Sequence, residues 1–213
     1  MNTGLGNLDT LKQHLLSPAL RAQTTYDVQL TALGLGIAAS FEKFCNRKFA
    51  RVVADQFICT ADRDHCYVPR YPLEVFTSIE MNADINVGWE MQTGLVLTTN
   101  PVSGLVYWGA GISFAWAQMR VTYTGGYFFE TLEPGDPNYP SAVPAGATVL
   151  PDDLELAWLL QCKHVWQTID PRGTKLVAEE KLGRAVPQQV FGDMDLIPEV
   201  INILLSYRRM VML

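Results

Sequence analysis

Long apolar runs are missing from this sequence. No stretch reaches the roughly 18 to 20 residues that a helix needs to cross a bilayer, and the mean hydropathy is only +0.08. The first residues, Met1 to His14, lack the basic start and the apolar stretch of a secretory signal peptide. We therefore expect a protein without a membrane segment that is made and kept in a cytosol.

Cysteine pairs and an excess of basic residues are missing as well. The four cysteines, Cys45, Cys59, Cys66 and Cys162, form no Cys-x-x-Cys pair. A cytosolic chain of this length can build a core without disulfides, so we expect four free thiols. Lys and Arg number 16 against 22 Asp and Glu, which gives a net charge of -6. Because tight DNA binding needs concentrated positive charge, any contact with DNA is expected to be loose or sliding.

The common signatures of enzymes are also absent. The sequence contains no Gly-x-Ser-x-Gly elbow and no phosphate-binding Gly-Lys-Thr, and we predict neither a cofactor nor a metal. His65 and Cys66, with Cys59 nearby, could suggest a metal site, but zinc sites need four ligands at recurrent spacings. The alternative from another class is a small enzyme that uses His65 with Asp62 or Asp64 at a junction of sheet and helix.

One glycine pattern, Gly34-Leu-Gly36, has the spacing of a dinucleotide-binding loop, with Asp55 about twenty residues further on. Such a loop must follow the end of a strand. Here apolar residues recur at steps of three and four straight through the glycines, at Leu30, Leu33, Ile37, Phe41 and Phe44. We therefore interpret the glycine pair as a place where two helices pack closely.

The same helical periodicity predicts a small bundle. A short helix is expected from Leu8 to Leu16, a second from Tyr26 to Cys45, a central one from Asp152 to Ile169, and a last one from Pro198 to Met210. Apolar residues cover nearly the whole circumference of the central helix, so we expect it to be surrounded by other elements. Its first turn contains a proline and two aspartates, which suit a helix start.

The middle of the chain has a different character. β-Branched and aromatic residues dominate from Phe49 to Tyr127, and turn signals such as Gly125-Gly126 separate short runs, which predicts an antiparallel sheet. The next segment carries five prolines, so regular structure cannot extend through it. We predict a single α+β domain, 1–213, with a core of three to four helices at 1–48 and 150–213, a β insertion at 49–130 and an extended Pro-rich loop at 131–151.

Two groups of residues are candidates for contacts with partners. Trp89, Trp108 and Trp116 fall in the sheet region, and a lone sheet seldom hides so many large rings without a partner surface; an ordinary core is the alternative. The chain ends on apolar residues, whereas chain ends usually fray in water, which suggests a docking segment. The predicted partner-binding residues are Arg208, Arg209, Met210, Val211, Met212 and Leu213. The alternative is a tail folded back on its own core.

Four segments of the chain, taken in their order, carry a resemblance to a known family. They are Leu8-Asp-Thr-Leu-Lys-Gln-His-Leu15, Ile37-Ala-Ala-Ser-Phe-Glu-Lys-Phe-Cys-Asn-Arg-Lys-Phe49, Arg120-Val-Thr-Tyr-Thr-Gly-Gly-Tyr127 and Leu150-Pro-Asp-Asp-Leu-Glu-Leu-Ala157. In this combination the chain resembles the head-to-tail connector, or adaptor, proteins of tailed bacteriophages of the siphophage type.

The resemblance implies a structural virion protein rather than an enzyme. Such proteins look like a helical bundle with a β insertion, assembled as a ring of twelve copies between the portal protein and the downstream neck or tail completion proteins. DNA would pass through the ring, during ejection as well, without specific binding. The protein would be made in the host cytoplasm and reside in the virion neck. A stopper or a tail terminator is the alternative within the same structural class.

Overall fold

The computed structural model describes residues 3–60, 64–82, 88–93, 97–109, 117–168 and 195–209. Within these ranges the fold is mixed α+β, as predicted, with five helices and antiparallel sheets. The chain divides into two units built from interleaved segments. The helical unit comprises Met1–Cys45, Phe129–Ala142 and Leu150–Leu213, and the sheet unit comprises Asn46–Phe128 and Val143–Val149.

The helices of the helical unit begin where the sequence supplies a start signal. They are α1 (Leu8–Leu15), α2 (Pro18–Arg21), α3 (Asp27–Cys45), α4 (Asp152–Thr168) and α5 (Pro198–Leu205). The side chain of Asn7 caps α1 by accepting the N–H of Thr10 at 2.9 Å. Proline occupies the first turn of α2 and of α5, where its missing N–H costs no hydrogen bond.

The core of the helical unit is the apolar face of α3 packed against α1, α4 and α5. The stripe predicted for α3 is its buried face, because Leu30, Leu33, Ile37 and Phe41 are all buried. Burial of each such side chain is worth about 1.5 to 3 kcal/mol. The facing side chains from the other helices are Leu11, Leu154, Trp158, Cys162, Val200 and Leu204.

The sheet unit contains a four-stranded sheet in the order β1-β7-β3-β4, a three-stranded sheet in the order β2-β6-β5, and the parallel pair β8-β9. The strands are β1 (Val52–Thr60), β2 (His65–Tyr67), β3 (Leu73–Asn82), β4 (Glu90–Met91), β5 (Thr98–Asn100), β6 (Leu105–Tyr107), β7 (Gln118–Gly125), β8 (Tyr127–Phe128) and β9 (Thr148–Val149). In β7, Met119, Val121 and Tyr123 are buried while Arg120 and Thr122 are half-buried, which is the predicted alternation.

Three boundaries differ from the sequence-based expectation. The last helix ends at Leu205 rather than near Met210, because Ser206 and Tyr207 form a turn. The first helix ends at Leu15 rather than at Leu16, and Pro18 starts α2, a short helix that was not predicted. At the turn expected for Gly125-Gly126, β7 runs through Gly125 and only Gly126 has a positive φ, +100°, where a Cβ would also meet the backbone of Ala50. Among the described residues, no helix combines the length and apolarity that crossing a membrane requires.

Candidate assembly surfaces

The end of the described chain is anchored on the helical unit. The Tyr207 hydroxyl donates a hydrogen bond to Asp153 Oδ1 in the first turn of α4. The backbone N–H of Arg209 donates to the carbonyl of Cys45, the last residue of α3, at 2.9 Å. The chain therefore leaves the described structure at the C-terminal end of α3. Met210, Val211, Met212 and Leu213 lie outside the described residues.

The two arginines predicted to bind a partner occupy different surroundings. The guanidinium of Arg208 lies 5.3 Å from the centre of the Phe44 ring, and the residue as a whole is exposed. Arg209 is half-buried next to the end of α3. A cation over an exposed aromatic ring is stabilised by about 0.5 to 1 kcal/mol. Arg208 is thus already oriented by its own chain while one side of its charge still faces solvent. Its contact with Phe44 was not predicted from the sequence.

The tryptophans named as candidate interface residues are placed differently from one another. Trp89 is half-buried and lies against Arg120, whose guanidinium is 4.6 Å from the ring centre. Arg120 also forms an ion pair with Glu80 across the β3–β7 ladder. Trp108 is only 2% exposed and belongs to the core of the sheet unit. Trp116 lies outside the described residues.

A buried arginine organises the start of the sheet unit. Arg47 is 5% exposed, and its guanidinium lies 3.5 Å from the centre of the Tyr71 ring, 5.1 Å from Phe49 and 5.2 Å from Tyr127. Its Nη2 donates to the carbonyl of Tyr71. Asn46, with a φ of +51°, turns the chain out of α3 immediately before it. The arginine, phenylalanine and tyrosine of the segments that carry the family resemblance therefore converge to hold this unit together.

A second polar network ties β1 to β7. The Tyr123 hydroxyl and Arg70 Nε each donate to Asp55 Oδ2, both at 2.9 Å. Arg70 Nη1 also donates to the carbonyl of Ala50 at 2.9 Å. Burial, together with the hydrogen bond to Asp55, raises the pKa of Tyr123 far above its usual value, so the phenol stays protonated. Asp55 is the acidic residue of the apparent dinucleotide pattern. In the structure its carboxylate instead accepts the hydrogen bonds that join β1 to β7 and to Arg70.

The glycine pair is divided between two environments. Gly34 is buried in α3, where a Cβ would clash with the carbonyl oxygen of Thr3 and lie 3.0 Å from the Trp158 ring. Trp158 Nε1 donates to the Gly34 carbonyl at 3.1 Å. Gly36 is half-exposed. The close helix approach inferred from the sequence is therefore found at Gly34, which explains why a helix carries glycine there.

The described residues of the alternative enzyme and metal interpretations are divided between the start of β2 and the core of the sheet unit. His65 Nδ1 lies 2.6 Å from Asp64 Oδ1 on the rim of β2. Cys66 points into the core of the sheet unit and Cys59 packs at its margin, while Asp62 lies outside the described residues. Within the described ranges, no three His, Cys, Asp or Glu side chains come together to hold a metal ion.

Two helices of the helical unit each expose a pair of large apolar side chains. On α3, Val28 is 80% exposed and Leu35 is 46% exposed. On α4, Leu156 is 52% exposed and Leu160 is 36% exposed. Each pair lies on the side of its helix opposite the buried face, since α3 buries Leu30, Ile37 and Phe41 and α4 buries Leu154, Trp158 and Cys162. Apolar residues all around α4 are visible in the sequence, but only the structure separates the covered faces of the helix from the uncovered one.

The proteins that resemble this chain were found by comparison of folds. No protein-family model and no curated protein matches the sequence. The fold is similar to a chain in the virion of a native gene transfer agent (GTA) particle, with a TM-score of 0.57, 16% identity, and coverage of 97% of this chain and 90% of that chain. It is likewise similar to a chain in the neck of an empty GTA particle computed with C6 symmetry, with a TM-score of 0.54 and the same identity and coverage. At this sequence identity, the similarity establishes that the chain shares the fold of these particle proteins.

Proposed function

We propose that this chain is a structural neck protein of a phage-like particle, a head-to-tail adaptor that forms a ring on the portal protein and contacts the next neck or tail completion protein. The single observation that carries the proposal is the fold similarity to a chain of a GTA particle neck, which covers 97% of this chain. The order of the four sequence segments supports the same assignment independently of the fold. The work of such a protein is binding, not catalysis.

The charge of the chain suits a conduit for DNA. With a net charge of -6 per subunit, a closed ring would accumulate negative charge around its channel. A negative wall repels the phosphate backbone, so the duplex passes without binding. The neighbouring structure was computed with C6 symmetry, and a ring of the twelve copies that the resemblance implies contains that sixfold symmetry.

The last residues are proposed as the portal-docking element. Arg209 is held at the end of α3, so Met210 to Leu213 start from a fixed point on the helical unit. Burying each of their apolar side chains contributes roughly 1.5 to 3 kcal/mol, while ordering each residue costs about 1 to 2 kcal/mol. The net gain per subunit is small, but in a ring the copies act together. Arg208 and Arg209 would face acidic groups of the partner.

Deletion of Met210 to Leu213 tests this docking element. We expect the truncated chain to melt close to the parent, because no described core contact is lost, and to fail to form a ring on the portal in electron micrographs. A truncation inside the helical unit, after Leu205, serves as the destabilised control because it removes the Tyr207 and Arg209 anchors. A large fall in Tm for the short deletion, or normal rings without the tail, would contradict the docking role.

Labelling of particles tests the neck assignment itself. An antibody against this chain, carrying a gold label, should mark one position between head and tail, and the copy number per particle measured by mass spectrometry should match that of the portal. A label at the end of the neck next to the tail, with half as many copies per particle as the portal protein, would favour a stopper or a tail terminator. A label on the capsid shell or none on the particle would refute a neck protein.

A further inference from the structure

One face of α3 forms a continuous exposed stripe. Val28, Ala32, Leu35, Ala39 and Lys43 are all exposed, and they follow one another at steps of four, three, four and four residues. This spacing keeps them on one side of a helix. The stripe is therefore smooth and apolar over three turns, with small alanine side chains between the larger ones, and it carries a positive charge at the C-terminal end of the helix.

One face of α4 forms a second exposed stripe. Asp152, Leu156, Leu160, Lys163 and Gln167 are exposed, at steps of four, four, three and four residues. The two leucines supply the large apolar side chains of this face, 52% and 36% exposed. A negative charge lies at its N-terminal end. The chain itself, in its described part, places nothing over either stripe.

The two stripes are complementary when the helices run antiparallel. The spacing of the α4 stripe, counted from its C-terminal end, is four, three, four and four, which is the spacing of the α3 stripe counted from its N-terminal end. One alignment therefore matches every position, with Val28 opposite Gln167, Ala32 opposite Lys163, Leu35 opposite Leu160, Ala39 opposite Leu156 and Lys43 opposite Asp152.

The chemistry of the matched positions also agrees. Lys43 meets a carboxylate, Leu35 meets a leucine, and Leu156 meets the short Ala39, which leaves room for its side chain as a ridge enters a groove. Antiparallel pairing of α3 with a second α3 would instead place no carboxylate opposite Lys43 and would leave both α4 leucines in water. Contact between two different faces is the heterologous type that generates a ring when its rotation closes.

We propose that α3 of one subunit packs antiparallel on α4 of the next copy of this chain, and that this contact closes the ring. This proposal depends on the proposed function in one respect, namely that the chain assembles into a ring. The occupant of both faces is a second copy of the chain, because the charge and size pattern of one face is matched by the other face of the same protein.

Cysteine cross-linking of the full-length chain, alone and with the portal protein of its particle, tests this contact. The variant Leu35→Cys/Leu160→Cys should give, after mild oxidation, a ladder of covalent oligomers that ends at the ring size. Each single variant should give no oligomer beyond that of the parent, since the contact is heterologous. The matched control is Leu35→Cys/Leu205→Cys, in which the second exposed position lies on α5 and outside the stripe. It should form no ladder.

Charge reversal gives an independent readout. Lys43→Asp alone, or Asp152→Lys alone, should weaken assembly on the order of tenfold by placing like charges opposite each other. The double variant should recover assembly, since it restores an ion pair of reversed polarity. The Tm of the unassembled subunit should be the same for Asp152→Lys and for Lys43→Asp/Asp152→Lys. A difference in assembly between these two variants then reports on the contact and not on the stability of the subunit.

The outcomes separate this contact from the neck assignment. Rings on the portal without a ladder would overturn the α3–α4 contact and leave the neck protein standing. A covalent dimer of Leu35→Cys alone, beyond what the parent forms, would show a two-fold pairing of α3 and also overturn the contact. A closed ladder from a protein that does not label the neck would uphold the contact while the proposed function fails.

Discussion

Gly34 is the residue at which three segments of the helical unit meet. Its carbonyl accepts a hydrogen bond from Trp158 Nε1. The carbonyl oxygen of Thr3 lies so close to the Gly34 Cα that a Cβ would clash with it. Gly4 completes the contact, since its φ is +112° and a Cβ there would lie 2.6 Å from the Cβ of Ala38. The glycines at the start of the chain and in α3 are therefore one packing feature rather than a cofactor loop.

Substitution of Gly34 tests that packing. Alanine raises helix propensity by up to about 1 kcal/mol, but its methyl group would overlap with Thr3 and the Trp158 ring, so we expect Gly34→Ala to lower the free energy of unfolding by about 1 to 3 kcal/mol. Gly36→Ala is the matched control, two positions away on the half-exposed side, and should be neutral or slightly stabilising. Urea denaturation measures both. Equal midpoints for the two variants would show that α3 is not tightly packed at Gly34.

Arg47 fills the corresponding role in the sheet unit, where its planar cation lies among Phe49, Tyr71 and Tyr127. Lysine keeps the charge but cannot stack as a plane or reach the Tyr71 carbonyl in the same geometry. We expect Arg47→Lys to cost about 1 to 2 kcal/mol of stability, the range of a desolvated cation–π contact. Lys43→Arg, at an exposed position of α3, should have no measurable effect on stability. Unchanged thermal melting of Arg47→Lys would refute the role of the aromatic box.

At the scale of elements, the proline-rich loop is held by two glutamates. The carboxylate of Glu133 accepts the N–H groups of Leu8 and Asp9 at 2.9 and 3.0 Å, and so caps the start of α1 from 125 and 124 positions away. Glu130 accepts the N–H groups of Leu132 and Ser141 and the Ser141 hydroxyl. The loop is therefore irregular in secondary structure but fixed by charged hydrogen bonds.

The ionisation of Glu130 predicts a pH effect. Burial opposes its charge, but the hydrogen bonds from Leu132 and Ser141 outweigh burial and hold its pKa below the usual 4.5. A lowered pKa in the folded state means that the stabilisation is present above pH 4.5 and is lost as the pH falls through the folded-state value. We expect Glu130→Gln to be less stable than the parent at pH 7 and to lose less stability by pH 3. Parallel denaturant curves for the two proteins at both pH values would contradict this.

Four of the five described helices were predicted from the sequence, whereas the short α2 and the long-range contacts were not. The α3 stripe spans five turns, so its limits, Tyr26 to Cys45, could be predicted within one residue of the observed Asp27–Cys45. The strand order β1-β7-β3-β4 depends on pairings between distant segments, and no local signal encodes them. The cap of α1 by Glu133 was missed for the same reason. The sequence shows that α4 contains leucines at these positions, but only the packing of the folded chain shows which apolar residues remain exposed.

At the scale of the whole molecule, the acidic balance predicts weak contact with nucleic acid. Because phosphate neutralisation requires clustered Lys and Arg, the isolated chain with its net charge of -6 should not shift duplex DNA in a gel at low salt. A basic DNA-binding protein in the same buffer provides the positive control. A shift at micromolar protein that disappears on addition of salt would show a basic surface and contradict the passive conduit.

The interleaved segments of the helical unit have a consequence for biosynthesis. Strands β1 to β8 leave the ribosome as one stretch, whereas the buried face of α3 must wait for α4 and α5, which are translated more than a hundred residues later. Domains generally fold as units while the chain grows. The sheet unit can therefore fold first, while Leu30, Ile37 and Phe41 remain uncovered until α4 and α5 have been translated. The order of synthesis thus delays completion of the helical core.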